Sequence, residues 1–441
     1  MEKNRENAAG EAIYDATKLG APKMLLLGLQ HMFAMFGATV LVPALTGLSV
    51  SDTLLFAGLG TLLFHFITKR KVPAFLGSSF AFLAGYAAIA PNGEKNLLPY
   101  ACFGVACAGL VYLILALVIK IFGAEKVMRY FPPIVTGPII ISIGLNLSKS
   151  AVTNCETDWG IALVAILIVI VCNIFGKGMI KIIPVILGVF GSYLLAAVLG
   201  KVDFSGVASA DWIGLPVKWN ETVFGLFAAG NVDRSLLITS VLTIVPISLA
   251  TMVEHIGDIS AISSTVGKNF IEDPGLHRTL TGDGLATTVA ALFGAPANTT
   301  YGENTGVLTL TKVYDPKVIR LAALFAIVFS FSPKMDALIS AMPAATLGGV
   351  SLVLYGMISA IGVRNITENH VDFSISRNVI IAALILVLSI GVNYSDLGAI
   401  IIKAGNITIS LTGLAVGALV GIILNAVLPE GNQKNSTRRQ S

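Results

Sequence analysis

Charge is scarce in this chain. Only 12% of its 441 residues are Asp, Glu, Lys or Arg, 55% are hydrophobic, and the mean hydropathy is +0.83. So little charge excludes a soluble globular enzyme and places the chain among polytopic membrane proteins. The net charge of +4 is too small to imply a nucleic-acid partner. Cysteine is scarce too: Cys102, Cys107, Cys155 and Cys172 follow no metal or redox spacing. Three of them read as small apolar helix residues, and Cys155 reads as a loop residue. There is no phosphate-binding glycine loop, zinc motif or nucleophile elbow, which argues against a built-in ATPase motor and implies no cofactor and no metal. Residues 1–22 lack an apolar stretch, so no cleavable signal peptide is expected.

What is abundant is apolar sequence in long runs. Segments long enough to span or enter a bilayer fall at 23–45, 52–68, 75–90, 98–122, 132–148, 159–175, 180–200, 235–257, 278–295, 297–312, 316–333, 336–358, 378–395 and 407–428. That makes fourteen. The third and tenth are short and polar. The ninth, with Thr279, Thr281, Asp283, Thr287 and Thr288, looks amphipathic. With the N-terminus in the cytoplasm, 22 of the 29 lysines and arginines fall inside and seven outside. The outer seven are Lys95, Lys149, Lys201, Lys218, Arg234, Lys334 and Lys403. Such a bias supports both the count and an N-in, C-in topology in an inner or plasma membrane. The longest polar connection, 201–233, falls outside and divides the segments seven and seven. Seven is odd, so the halves enter the membrane from opposite sides, which predicts an inverted repeat. Gln30-His31 echoes Glu254-His255, Ser78-Ser79-Phe80 echoes Thr299-Thr300-Tyr301, and Pro133-x-x-Thr136 echoes Pro343-x-x-Thr346.

The stretch Ala297–Lys312, ANTTYGENTGVLTLTK, is too polar for a lipid-facing helix. Thr299, Thr300 and Tyr301 favour extended backbone, and Gly302 and Gly306 loosen it. Irregular backbone at membrane depth survives only inside protein or along a cavity. Short, interrupted segments at matching places in two halves point to a transporter site. Segments 3 and 10 are therefore expected to pair as short antiparallel strands, each turning into a half-helix whose free N–H groups face a solute. Ser79 and Phe80, and Tyr301 and Gly302, stand at those turns. Glu254 and Asp258, four apart on segment 8, share a face. With Glu303 they put three acids in the membrane interior, where carboxylates are costly and mark function. Crowding and burial favour proton uptake by at least one, which gives proton coupling a physical basis. The bland reading of Asp258 is a cap at the cytoplasmic helix end. His31 reads either as a support for a carboxylate or as a packing residue, and Tyr355 as a pocket cap or a core tyrosine. His65, His277 and His370 read as solvated. Gly413, Gly417 and Gly421 read as a close-packing stripe.

At these residues the chain resembles the nucleobase–ascorbate transporter family, most closely its bacterial uracil-transporting branch. The likeness runs from Lys23 to Leu428. Its most specific piece is Glu303-Asn304-Thr305-Gly306 followed by Thr311-Lys312; GLQHMFAMFGATVLVP at Gly28–Pro43, VPAFLGSSFAF at Val72–Phe82 and EHIGD at Glu254–Asp258 support it. The resemblance implies a core domain (23–128 and 234–333), a gate domain (129–200 and 334–429), an extracellular connection (201–233) and cytoplasmic tails (1–22 and 430–441). It also implies an elevator-type motion of core against gate, and a homodimer. Glu254 and Glu303 would then hold ring N–H groups of a nucleobase, and backbone N–H groups at Phe80 and Gly302 a ring carbonyl oxygen. Ala38, Tyr301 and Tyr355 would line the pocket, His31 would support it, and Asn304 would fix the turn. Glu303 before Asn304 is the uracil-type choice. Asp258 stands where the best-known uracil-transporting member has His and where many purine-type members have Asp. The expected cargo is uracil with a proton, xanthine or another purine being the alternative. An anion carrier of similar architecture would favour a positive residue where Glu303 stands.

Overall fold

A computed structural model describes residues 12–230, 232–404 and 407–429, without the side chains of Ile182, Glu303, Ala404, Ile407 and Thr408. Each of the fourteen apolar segments forms a helix, alone or with a short strand. In chain order these are α1 Ala21–Thr46, α2 Val50–Ile67, β1 Leu76–Ser78, α3 Phe80–Ile89, α4 Leu98–Phe122, α5 Pro133–Glu156, α6 Trp159–Phe175 and α7 Pro184–Val198. There follow α8 Arg234–Val266, α9 Leu276–Leu292, β2 Asn298–Thr300, α10 Gly302–Thr311, α11 Pro316–Ser330, α12 Ala344–Glu368, α13 Ser376–Asn393, β3 Ala399–Ala404, β4 Ile407–Thr412 and α14 Gly413–Val427. Among the described residues seven helices are long and apolar enough to cross a membrane, or eight if α11 and Pro333–Ser340 count as one span bent by 86°.

Local chemistry sets the boundaries. Ser49 caps α2, its hydroxyl accepting from Asp52 N, and Asp158 caps α6, accepting from Gly160 N and Ile161 N. Pro22, Pro99, Pro133, Pro184 and Pro316 sit in first turns, where a missing N–H costs nothing. Gly47 ends α1 in the left-handed region at φ 79°. In α8, Pro246 cannot donate, and the helix tightens there into the 3₁₀ turn Val245–Ile247.

Helices α5–α7 and α12–α14 pack chiefly against one another, as do α1–α4 with α8, α9 and α11. Helix α5 packs closely on α12. A Cβ at Gly144 would lie 2.2 Å from Tyr355 O and 2.3 Å from Ser359 Oγ, so only glycine permits that approach. The glycine stripe of α14 likewise packs within the chain: Gly413 and Gly417 lie on Ser389, and Gly421 on Ile385.

Several expectations need correction. The chain is not helical apart from β1 and β2: β3 and β4 form a six-residue antiparallel hairpin, and the expected segment at 407 begins as a strand. No segment was expected between 395 and 407, where β3 lies. The twelfth segment begins at Ala344 rather than 336, because Pro333 and Pro343 isolate Pro333–Ser340 as a short bent helix. Helix α8 continues nine residues past 257 to Val266, so Asp258 is not a helix-end cap. Cys155 is buried in the last turn of α5, not in a loop. His65 is buried, with Nε2 2.9 Å from Ala74 O, whereas His370 is exposed and His277 half-buried. The polar face of α9 meets protein, not water: Thr287 Oγ1 donates to Asn298 O and Thr288 Oγ1 to Ala106 O. The N-terminal residues from 12 onward are docked. Ile13 bridges Val313, Tyr14 O–H donates to Val266 O, and Ala16 N donates to Asp315 Oδ2. Residues 1–11 and 430–441, most of the two expected tails, lie outside the described residues.

Charges fall into two sets of neighbours. Lys71 with Asp273, and Lys317 with Asp15, lie among residues expected on the inner side. Lys95 and Lys218 meet at Glu221 among those expected outside. Lys71 Nζ donates to Asp273 at 2.5–2.6 Å and holds that carboxyl below its usual range.

Candidate functional site

The site is built on β1 and β2. They pair antiparallel, with Leu76 opposite Thr300, Gly77 opposite Thr299 and Ser78 opposite Asn298. Tyr301 N donates to Phe75 O and Ser79 N to Ala297 O, extending the pairing by one bond at each end. All six strand residues are buried, so the outer edges of this two-stranded unit also need partners. Side chains supply them. Leu76 N donates to Thr61 Oγ1 at 2.9 Å, and that hydroxyl donates to Leu76 O at 3.3 Å. Thr287 Oγ1 donates to Asn298 O, and Tyr301 O–H to Ser78 O at 2.9 Å. Asn298 Nδ2 donates to Phe56 O, tying β2 to α2. An orphaned buried group costs about 1–3 kcal/mol, so these threonines, Tyr301 and Asn298 are what permit strands in so apolar a place.

Each strand runs directly into a helix, β1 into α3 at Phe80 and β2 into α10 at Gly302. The first turns of both leave backbone N–H groups without helical partners. Glu254 and Asp258, one turn apart on α8, face the same place. A small cavity is lined by Phe80, Tyr301, Gly302, Glu254 and Asp258, all expected at the site. Thr299 and Thr300 complete that wall. Ile140 of α5 and Ile358 and Ile361 of α12 form the opposite one. The volume is about 40 Å³. A cavity of roughly 150 Å³ is needed to admit benzene, so this conformation is closed around the space of a water or two.

The other expected residues stand behind the wall. Ser79 and Ala38 are buried and do not line the cavity. Tyr355 sits behind Phe80, the rings T-shaped at 5.6 Å. His31 Nδ1 is 3.2 Å from Asn304 Nδ2, which also donates to His31 O, so this pair ties α1 to the start of α10. Glu303 is the second residue of α10; its side chain lies outside the described residues. Sequence reasoning placed Thr299 and Thr300 in the strand but not in the site. It missed Ile140, Ile358 and Ile361 altogether, since nothing distinguishes a pocket isoleucine from a lipid-facing one. A second, larger cavity of about 530 Å³ is lined by Leu48, Ser49, Lys95, Lys218, Asp336 and Leu347 among others. It holds no acid of α8 and no strand residue, so the smaller cavity is the candidate site. No group of three or more His, Cys, Asp or Glu able to hold a metal occurs among the described residues.

Residues 22–397 match the Permease family. The uracil permease of Bacillus caldolyticus is 43% identical over 416 residues, covering 92% of each chain. The chain belongs to the nucleobase–ascorbate transporter family. It is a multi-pass membrane transporter and not an enzyme. The uracil permeases of Bacillus subtilis (strain 168) and Escherichia coli (strain K12) are 40% and 36% identical, over 92% and 91% of this chain and 93% and 90% of theirs. Two solved structures share the fold. The transmembrane domain of the cyanobacterial bicarbonate transporter BicA has a TM-score of 0.58 at 14% identity, over 94% of this chain and 99% of that one. SLC26A9 has 0.58 at 12% identity, over 91% and 64%. At such identities the likeness concerns architecture alone.

Proposed function

We propose that this member of the family carries uracil into the cell together with a proton, by moving a core (23–128 and 234–333) against a gate (129–200 and 334–429). One observation carries the reading: two helix starts and two carboxylates on core elements converge on a cavity whose far wall is three isoleucines of the gate. Half-helix N–H groups suit the carbonyl oxygens of a pyrimidine, and Glu254 and Glu303 suit its ring N–H groups. Phe80 and Tyr301 offer flat faces to a flat ring. Ala38, Ser79 and Tyr355 shape the pocket from behind, and the His31–Asn304 contact holds the α10 turn. Relatives that share 36–43% of their residues with this chain are uracil permeases, which supports the cargo. Glu303 at the start of α10 opposes an anion.

The proton relieves the cost of crowded buried acids and couples uptake to the membrane potential. One charge crossing is worth about 2.3 kcal/mol per 100 mV, about fiftyfold in concentration ratio. In this reading the matching strand–helix units belong to a 7+7 inverted repeat of fourteen segments, both termini are cytoplasmic, and the working unit is a homodimer. Radiolabelled uracil uptake into proteoliposomes is the test: insensitivity to an imposed proton gradient rejects the coupling. Asp258 favours a second reading, a xanthine or other purine carrier, and competition of xanthine against uracil separates the two.

A further inference from the structure

Two buried ionisable residues lie just behind the pocket and belong to no part of it. His255 of α8 and Asp283 of α9 have no solvent exposure, and neither lines the cavity. His255 Nδ1 stands 2.9 Å from Asp283 Oδ2. The same nitrogen is 3.5 Å from Thr300 Oγ1, and the Thr300 hydroxyl donates to Asp258 Oδ2 at 3.1 Å. Asp258 lines the pocket. Three successive contacts therefore link a pocket carboxylate to one sealed between two helices. The ionisable groups that approach the pair are Asp258 on α8, through Thr300, and Tyr112 on α4. Tyr112 O–H is committed to Thr251 Oγ1 at 2.6 Å. Phe64 covers the His255 ring edge-on at 6.4 Å. No lysine or arginine appears in these contacts.

We propose that Thr300 and His255 form a proton path from Asp258 to Asp283, and that Asp283 holds the co-transported proton while the nucleobase occupies the pocket. This rests on the proton-coupled reading above. The steps balance. His255 begins neutral with its proton on Nδ1, donated to Asp283 Oδ2. His255 gives that proton to Asp283 as the Thr300 hydroxyl turns from Asp258 and gives its own to the vacated Nδ1. Protonated Asp258 gives its proton to Thr300 Oγ1 in the same relay. Asp258 ends as a carboxylate facing the substrate, His255 is neutral again, and Asp283 is a neutral acid in a dry place. Long contacts such as the 3.5 Å one commonly tighten when substrate closes a site. Storing the proton at Asp283 removes a fully buried negative charge, and it leaves Asp258 ionised, an acceptor for hydrogen bonds from the ring.

The test uses Asp283→Asn, which keeps the shape of the protonated acid, and His255→Gln, which keeps a hydrogen-bonding side chain. Both are reconstituted and assayed in two ways. Uracil exchange at equal pH on both sides needs no net proton movement; accumulation driven by an alkaline interior does. The expected result is exchange within about twofold of the parent in both variants, with gradient-driven accumulation and dye-reported proton uptake reduced tenfold or more. Accumulation at the parent level in either variant removes that residue from the path and overturns the proposal. Loss of exchange in parallel with accumulation also overturns it, because the pair would then only brace β2. If the parent protein itself ignores the gradient, the proton-coupled reading has failed, an outcome distinct from either of these.

Discussion

Gly77→Ala should damage the protein through one identifiable collision. A Cβ at Gly77 would stand 2.5 Å from Tyr301 Cε2, 2.6 Å from Tyr301 Cζ and 2.6 Å from Thr39 Oγ1. The tyrosine ring is buried, and its hydroxyl is tied to Ser78 O, so it cannot swing aside without breaking that bond. Overpacking of this kind costs about 1–3 kcal/mol, and displacing the hydroxyl from a buried carbonyl costs about 1–3 kcal/mol more. The expected loss is therefore about 2–6 kcal/mol. Tyr301→Ala alone should cost about 3–5 kcal/mol as a buried aromatic truncation. In the double variant the new methyl enters space the ring has vacated, so the two losses should fall short of additivity by at least about 1 kcal/mol. Reversible unfolding of purified protein in mixed micelles, followed by circular dichroism, measures all three without reference to any cargo. Additive losses, or a Gly77→Ala protein within about 0.5 kcal/mol of the parent, would refute the strand packing described here.

Thr61→Val should cost about 2–4 kcal/mol, since it orphans both Leu76 N–H and Leu76 C=O; Thr61→Ser keeps the hydroxyl and should stay within about 1 kcal/mol, measured by the same unfolding assay. Glu254→Gln should abolish uracil stabilisation in a thermal-shift assay, where the parent gains about 2.7 kcal/mol at a hundredfold excess over Kd; an undiminished shift counts against the pocket. Ile358→Ala enlarges the pocket from the gate side, so xanthine should compete better against labelled uracil than in the parent; unchanged competition denies Ile358 a place at the site. Asp273, lowered by its hydrogen bond from Lys71, contributes stability above the usual carboxylate value of 3.8 and loses it as pH falls through its lower folded-state value. Because the pair is exposed, Asp273→Asn should match the parent near pH 7 in high salt, and any larger difference in unfolding midpoint contradicts the surface placement.

The spacing of apolar runs was enough to show where helices form, because continuous hydrophobicity bounded by proline, glycine and charge leaves few alternatives. The strand pair was legible for a different reason. Gly77-Ser78-Ser79 and Thr299-Thr300-Tyr301 are poor helix formers lodged where only paired backbone can survive. Residues 399–412 were not legible: three consecutive isoleucines satisfy helix and strand alike, and only packing on α8, where Ser410 N meets Thr243 Oγ1, distinguishes them. The same limit hid the gate wall. Acids and β-formers stand out against an apolar background, whereas Ile140, Ile358 and Ile361 are that background. Asp283 was visible as a polar residue in segment 9, but only the fold shows it against His255.

The two cavities constrain how solute moves. The smaller lies between the strand pair with α8 on one side and α5 with α12 on the other. The larger lies between the α1–α2 turn and the start of α12, beside Lys95 and Lys218. Both therefore open along one seam between the same two groups of helices. Among the described side chains, those of the small cavity that can hydrogen-bond come from Thr299–Tyr301 and α8, while α5 and α12 add hydrocarbon. A surface that offers no directional bonds can slide past a bound ring without having to break any. In the proposed core-against-gate motion, recognition belongs to the strand pair and α8 and travels with them, and the isoleucines are the dry wall. The 40 Å³ left in this closed arrangement is too little for a ring, so the proposed motion has to part the two sides along that seam, where glycine packing of α5 on α12 holds the isoleucine wall together.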